Sequence, residues 1–228
     1  MKFREIISEV DRGGEVDDGM LYDYKEKEAP NKQLDLFPDI PSLEPDNMPK
    51  NFQIIGRIGE YTIVEDHNEH KANPHWERQH YNTVKITKQH AYVLYFKTEV
   101  VGYVVGYDCF FHDSAIAHRY AHNGFQISTV NIHEDHRGKK LTLQLYLWLL
   151  NKKYDYILPD ETHTHDGVKL WAKLNSSPVF DCVIWNTEKY DYSKKKGKFF
   201  NQVYEKYGLI PVLTLNGKSH KLFSEDGE

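Results

Sequence analysis

The sequence predicts an α/β or α+β chain, a mixed β-sheet flanked by helices and preceded by a disordered arm. Strand-like alternation of apolar, β-branched and aromatic residues begins at Phe52 and returns at intervals as far as Trp185. Residues 141–150, LTLQLYLWLL, carry apolar side chains at helical spacing directly after a strand-like run at 125–132. Residues 1–50 show neither period. They are acidic and punctuated by Gly13, Gly14, Gly19, Pro30, Pro38, Pro41, Pro45 and Pro49, the composition of a disordered segment. The expected division is an acidic arm, 1–50, and one folded domain, 51–228, since 228 residues suffice for one sizeable core but not for two beside an arm.

Within the domain, 53–57 and 60–65 flank Ile58-Gly59 as a hairpin. Residues 66–82 hold His67, His70, His75 and His80 without a carboxylate or cysteine set at fixed offsets, and read as a solvated loop with no metal. Ala91–Phe96 and Val100–Tyr107 form a second hairpin around 97–99, apolar enough to be covered on both faces. In the next strand Phe125, Ile127 and Thr129 share one face, while Val130 and Ile132 restart the apolar series out of phase. One inserted residue does that, so a β-bulge is expected near Thr129. Leu141, Leu145, Trp148 and Leu149 make the buried stripe of the first helix, widened by Leu143, Leu147 and Leu150. Tyr156–Leu158 is a short buried strand ended by Pro159-Asp160, and 166–174 a second helix with Asp166 as N-cap. A strand at 179–185, a solvated lysine-rich loop, an aromatic helix at 199–207 and a frayed C-terminus complete the expectation.

Composition narrows the functional classes. A net charge of −5 and a pI near 6.2 lack the broad basic face needed to coat nucleic acid. Cys109 and Cys182 are too few for a disulfide framework or a cysteine metal site, and are expected as buried thiols of a reducing compartment. No apolar run approaches the ~20 residues of a membrane span, and the first seven residues, MKFREII, lack the apolar core of a signal peptide, so a cytoplasmic protein is expected.

The segment FQISTVNIHEDHRGKKLTLQLYLWLL, 125–150, bears most directly on function, because a strand runs through an Arg-Gly turn straight into an apolar helix. First-turn N–H groups, the positive end of the helix dipole, and Arg137, Lys139 and Lys140 converge there on one point suited to an anionic cofactor. Arg137, Gly138, Lys139, Lys140, Leu141 and Thr142 resemble the Q/R-x-x-G-x-G/A turn of the GNAT superfamily of acetyl-CoA-dependent N-acetyltransferases. Lys140 and Thr142 depart from it, standing where the family has Gly and Gly or Ala. The long tail and modified turn also resemble GNAT-like proteins of tailed phages.

The resemblance implies acetyl-CoA as cofactor, an unnamed amine as acceptor and a strand splayed from its neighbour so that its free backbone near Val130 and Ile132 pairs with the pantetheine arm. Glu134 is the catalytic candidate, able to relay a proton through water, with Asp135 and His133 beside it. The family's frequent general acid, a Tyr on the helix after the fifth core strand, falls on Trp171, whose indole does not serve as a phenol does. His163 and His165, with Asp160 and Glu161, form a possible substrate edge. In the arm, Gln33, Leu34, Asp35, Leu36 and Phe37 resemble the linear motif with which bacterial replication and repair proteins bind the sliding clamp. The alternative to an enzyme is therefore a GNAT-fold binding or scaffold protein, phage-encoded, whose arm recruits that clamp.

Overall fold

The computed structural model describes residues 50–67, 84–111, 123–159, 165–186, 191–193 and 209–218. The fold is mixed α+β. Among the described residues nine strands form one sheet, β1 (Phe52–Ile58), β2 (Tyr61–Asp66), β3 (Val84–Phe96), β4 (Glu99–Phe111), β5 (Gly124–Ile132), β6 (Tyr156–Leu158), β7 (Phe180–Asn186), β8 (Asp191–Ser193) and β9 (Leu209–Leu215), in the spatial order β1-β2-β3-β4-β5-β6-β9-β7-β8. Among the described strands only β5 and β6 pair in parallel; they are joined by helix α1 (Leu141–Lys152), the crossover that a parallel pair requires. A second helix, α2 (His165–Ser176), leads from β6 to β7.

Both helices lie on one face of the sheet. Leu141, Leu145, Tyr146 and Leu149 of α1 and Trp171 and Leu174 of α2 share a buried core with Ile63, Tyr92, Leu94, Val104, Phe125, Ile127, Ile157 and Leu213. The predicted leucine stripe is this contact, and Trp148 packs at its edge against Gly56, where a Cβ would come 2.6 Å from the indole. The opposite face carries two further buried apolar groups, one around Tyr95, Tyr103 and Val105, the other around Tyr156, Leu158, Trp185 and Val212.

The inferred bulge is present. Val105 pairs with Thr129 but the next residue, Gly106, pairs with Ile127, so Ser128 is the inserted residue of β5. Its effect is the phase change read from the sequence: Val130 and Ile132 pack against the same core as Phe125 and Ile127. Gly106 permits the close approach there, since a Cβ at 106 would lie 2.2 Å from the Gln126 carbonyl oxygen.

Four expectations need correction. The second hairpin runs much further than 91–107, because β3 and β4 are each thirteen residues long. Helix α2 begins at His165, which places Asp166 inside the first turn, where its charge still suits the helix dipole, rather than at the N-cap. The C-terminal part is not frayed throughout: Leu209–Leu215 inserts as a strand between β6 and β7, with Pro211 opposite Ile184. The short β8 likewise replaces part of the expected loop. The arm, the histidines at 70, 75 and 80, and the helix expected at 199–207 lie outside the described residues.

Candidate functional site

Pairing between β5 and β6 is short: Gly124 with Tyr156, Phe125 with Ile157 and Gln126 with Leu158. Among the described residues, no strand pairs with β5 on that edge beyond Gln126. This edge leads to a short 3-10 turn, Glu134–His136, and then to the N-terminus of α1. A cleft at the C-terminal ends of parallel strands is where ligands bind in open α/β sheets.

Backbone conformation at the turn is specific. Gly138 has φ 74° with nothing near an added Cβ, so glycine serves conformation here rather than space. Lys140 is the N-cap of α1 at φ 57°, the left-handed region, and no side chain caps the helix. The position at which the resembled motif carries Gly is thus one that asks for a left-handed residue, and Lys tolerates it at a cost. Lys140→Gly is expected to stabilise the fold by about 0.5 kcal/mol, relief of left-handed strain partly offset by glycine's entropy; a melting temperature unchanged or raised by a few degrees agrees, a marked fall does not.

The other predicted site residues gather at this end. Arg137 is exposed and its Nε donates to the Ile132 carbonyl (3.2 Å), tying the guanidinium to the strand end. Lys139 is exposed, Leu141 buried and Thr142 half-buried. Glu134 is exposed, its carbonyl accepting from the Arg137 N–H. His133 lies 3.7 Å from Asp135. His136, which the sequence did not single out, has Nδ1 3.1 Å from the Tyr61 hydroxyl and its ring against Phe96. Burial, then Lys139 and His133, lower its pKa, which favours neutral imidazole.

Trp171 does not stand at the β5–α1 turn as a replacement acid. It is buried in the helical core with its ring 6.5 Å from that of Tyr146. The Tyr146 hydroxyl is fully buried and has no hydrogen-bond partner among the described residues, and burial pushes its pKa up, so the phenol stays protonated. An unsatisfied buried hydroxyl costs about 1–3 kcal/mol. Tyr146→Phe is therefore expected to raise stability by about 1 kcal/mol, visible as a later denaturant midpoint with an unchanged slope.

At the other end of the helical face lies a polar cluster that the sequence did not reveal. Glu65 (β2), His90 (β3) and Asp108 (β4) come from three adjacent strands, and Lys153 and Tyr154 close over them just after α1. His90 Nε2 is 2.8 Å from Asp108 Oδ2, and its Nδ1 stands 3.0 Å from Glu65 Oε1 in an ion-pair contact off the hydrogen-bond line. Lys153 Nζ donates to both Glu65 oxygens. Tyr154 donates to Asp108 Oδ1 (2.8 Å), which leaves the Tyr92 hydroxyl to donate to Tyr154. Burial alone would raise the Glu65 pKa, but the close contact with His90 and the bonds from Lys153 outweigh it and bring it down to about 2. Burial likewise opposes protonation of His90, and the two carboxylates override it, raising its pKa. Two cations then face two anions, a balanced clasp that fastens the end of α1 to the sheet.

Cys109 and Cys182 are buried free thiols, as expected, with pKa values raised by burial. Gln33–Phe37, Asp160, Glu161 and His163 lie outside the described residues, and among the described residues no helix is long and apolar enough to cross a membrane. No protein-family model matches the chain, and no curated protein is significantly similar to it.

Proposed function

We propose that the chain is a GNAT-like N-acetyltransferase that moves an acetyl group from acetyl-CoA to an amine. The observation that carries this reading is the edge of β5 beyond Gln126, which no described strand pairs and which runs from the bulge to the uncapped N-terminus of α1. The residues suit such a cofactor at both ends. The left-handed backbone at Gly138 and Lys140 with the first-turn N–H groups suits a pyrophosphate, helped by the charges of Arg137, Lys139 and Lys140. The backbone around Val130 and Ile132 suits an arm bearing amides. Thr142 narrows the approach that Gly or Ala would allow.

Acetyl-CoA when bound supplies the acyl group: the amine nitrogen bonds to the carbonyl carbon, the C–S bond breaks, the thiolate leaves and the surplus proton passes to solvent. Chain residues contribute position and field. Glu134 and His136 belong to the anion end, exposed or half-buried beyond the last residue of β5. Glu134 takes a proton only through water, and neutral His136 hydrogen-bonds at the mouth. Release of free thiol from acetyl-CoA with methylamine, spermidine and a lysine-rich peptide as acceptors tests the activity. Amine-dependent release with acetylated product supports it, whereas intact acetyl-CoA with every acceptor speaks for the scaffold alternative.

A further inference from the structure

We infer that Glu65, His90, Asp108 and Lys153 form a pH-operated latch: when His90 loses one ring proton, Glu65 swings off it, carrying Lys153, and the end of α1 loosens from the sheet. The latch lies at the end of α1 opposite the anion turn and needs no ligand, so it stands or falls apart from the cofactor reading. His90 is held between two carboxylates. Its Nε2 is 2.8 Å from Asp108 Oδ2, and its Nδ1 is 3.0 Å from Glu65 Oε1. Imidazolium presents an N–H on each nitrogen, whereas neutral imidazole carries one N–H and one lone pair. A lone pair at either distance repels the carboxylate oxygen it meets, so this arrangement belongs to the doubly protonated ring.

The weaker contact yields. Nε2 and Asp108 share a hydrogen bond, while Nδ1 meets Glu65 off the hydrogen-bond line, so the remaining proton stays on Nε2 and the lone pair faces Glu65. Among the described residues, the charged and titratable groups around His90 come from every element packed there. They are Glu65 of β2, with His67 Nε2 3.9 Å beyond it, Asp108 of β4, Tyr92 of β3 with its ring stacked on His90, and Lys153 and Tyr154 after α1. With His90 charged, two cations face two anions. Without that proton a net negative charge remains where Glu65 and His90 are both buried, a costly state. Glu65, His90 and Asp108 belong to paired strands, whereas Lys153 and Tyr154 lie just beyond α1, so the movement falls on these two. Their N–H groups both bond to the Leu149 carbonyl, at 2.8 and 3.0 Å, and these last bonds of the helix fray once the side chains give way. The two carboxylates outweigh burial and raise the His90 pKa, so the latch is shut below pH 6.5 and opens as pH rises through the folded value.

Amide hydrogen exchange of the full chain, followed by NMR from about pH 6 to about pH 9 while the His90 ring nitrogens are titrated in the same samples, tests this. After correction for the intrinsic effect of pH on exchange, protection of the Lys153 and Tyr154 amides is expected to fall about tenfold across the His90 titration. Leu145 and Tyr146, in the middle of α1, keep theirs. In Glu65→Gln the new amide donates to neutral Nδ1, so the step disappears. His90→Gln, which cannot take up the second proton, shows the low alkaline protection at every pH. A cooperative thermal melt shows that each variant folds, and where one does not, coincidence of the wild-type step with the His90 titration decides alone. Constant protection in the wild type up to the alkaline limit of the folded chain, a step displaced from the His90 titration, or a step of equal size in folded Glu65→Gln overturns the inference.

Discussion

Arg137→Glu combined with Lys140→Glu is expected to weaken acetyl-CoA binding by about a hundredfold or more, roughly 3 kcal/mol, with the fold intact. Two cations at the anion end become two anions, so attraction for a pyrophosphate turns into repulsion. Neither side chain holds the core: Arg137 is exposed with one bond to the Ile132 carbonyl, and Lys140 is half-buried at the helix start. Glu at 140 inherits the left-handed strain that Lys bears, so stability should change little. The mutant should also lose the weakening by added salt expected of wild-type binding, because that dependence would come from the same charges. Unchanged affinity in the double mutant would place the phosphates elsewhere.

The largest stability effect is expected at the clasp. Glu65→Ala leaves the imidazolium of His90 and the ammonium of Lys153 facing each other without their shared anion, at a cost of about 3 kcal/mol, or a melting temperature lower by roughly 6–12 °C. The pH dependence has a definite sign. Glu65 has a folded pKa of about 2, below its unfolded value of 4.5, so its stabilisation is fully present above pH 4.5 and is lost as pH falls toward 2. His90 has a raised folded pKa, so its contribution is fully present below the unfolded value of 6.5 and is lost as pH rises through the folded pKa. Stability from the clasp should therefore peak between pH 4.5 and 6.5, and Glu65→Ala should flatten the acid limb. An acid limb of the same depth in Glu65→Ala would assign it to other carboxylates.

What the sequence disclosed was local. The phase break after Thr129 located the bulge because alternation has a period of two and one inserted residue inverts it. The apolar spacing of 141–150 located α1 and its buried face, and the Arg-Gly turn located the helix start. The elements that escaped notice owe their structure to partners distant in the chain. The run Lys85–His90 looks too polar for a buried strand, yet β3 includes it, and His90 is buried because Glu65 and Asp108 lie beside it from neighbouring strands. β9 contains Pro211 and follows a polar stretch; it is a strand because a gap between β6 and β7 receives it. The clasp joins residues 65, 90, 108 and 153, whose spacing has no period to read.

Isothermal calorimetry of the full chain with acetyl-CoA and with desulfo-CoA tests the central claim most directly. The β5 edge and the α1 turn predict saturable, one-to-one binding of both, weakened by added salt and by the Arg137→Glu, Lys140→Glu pair. Absence of binding to either compound by the folded wild-type chain would contradict the claim that this cleft holds an acyl cofactor.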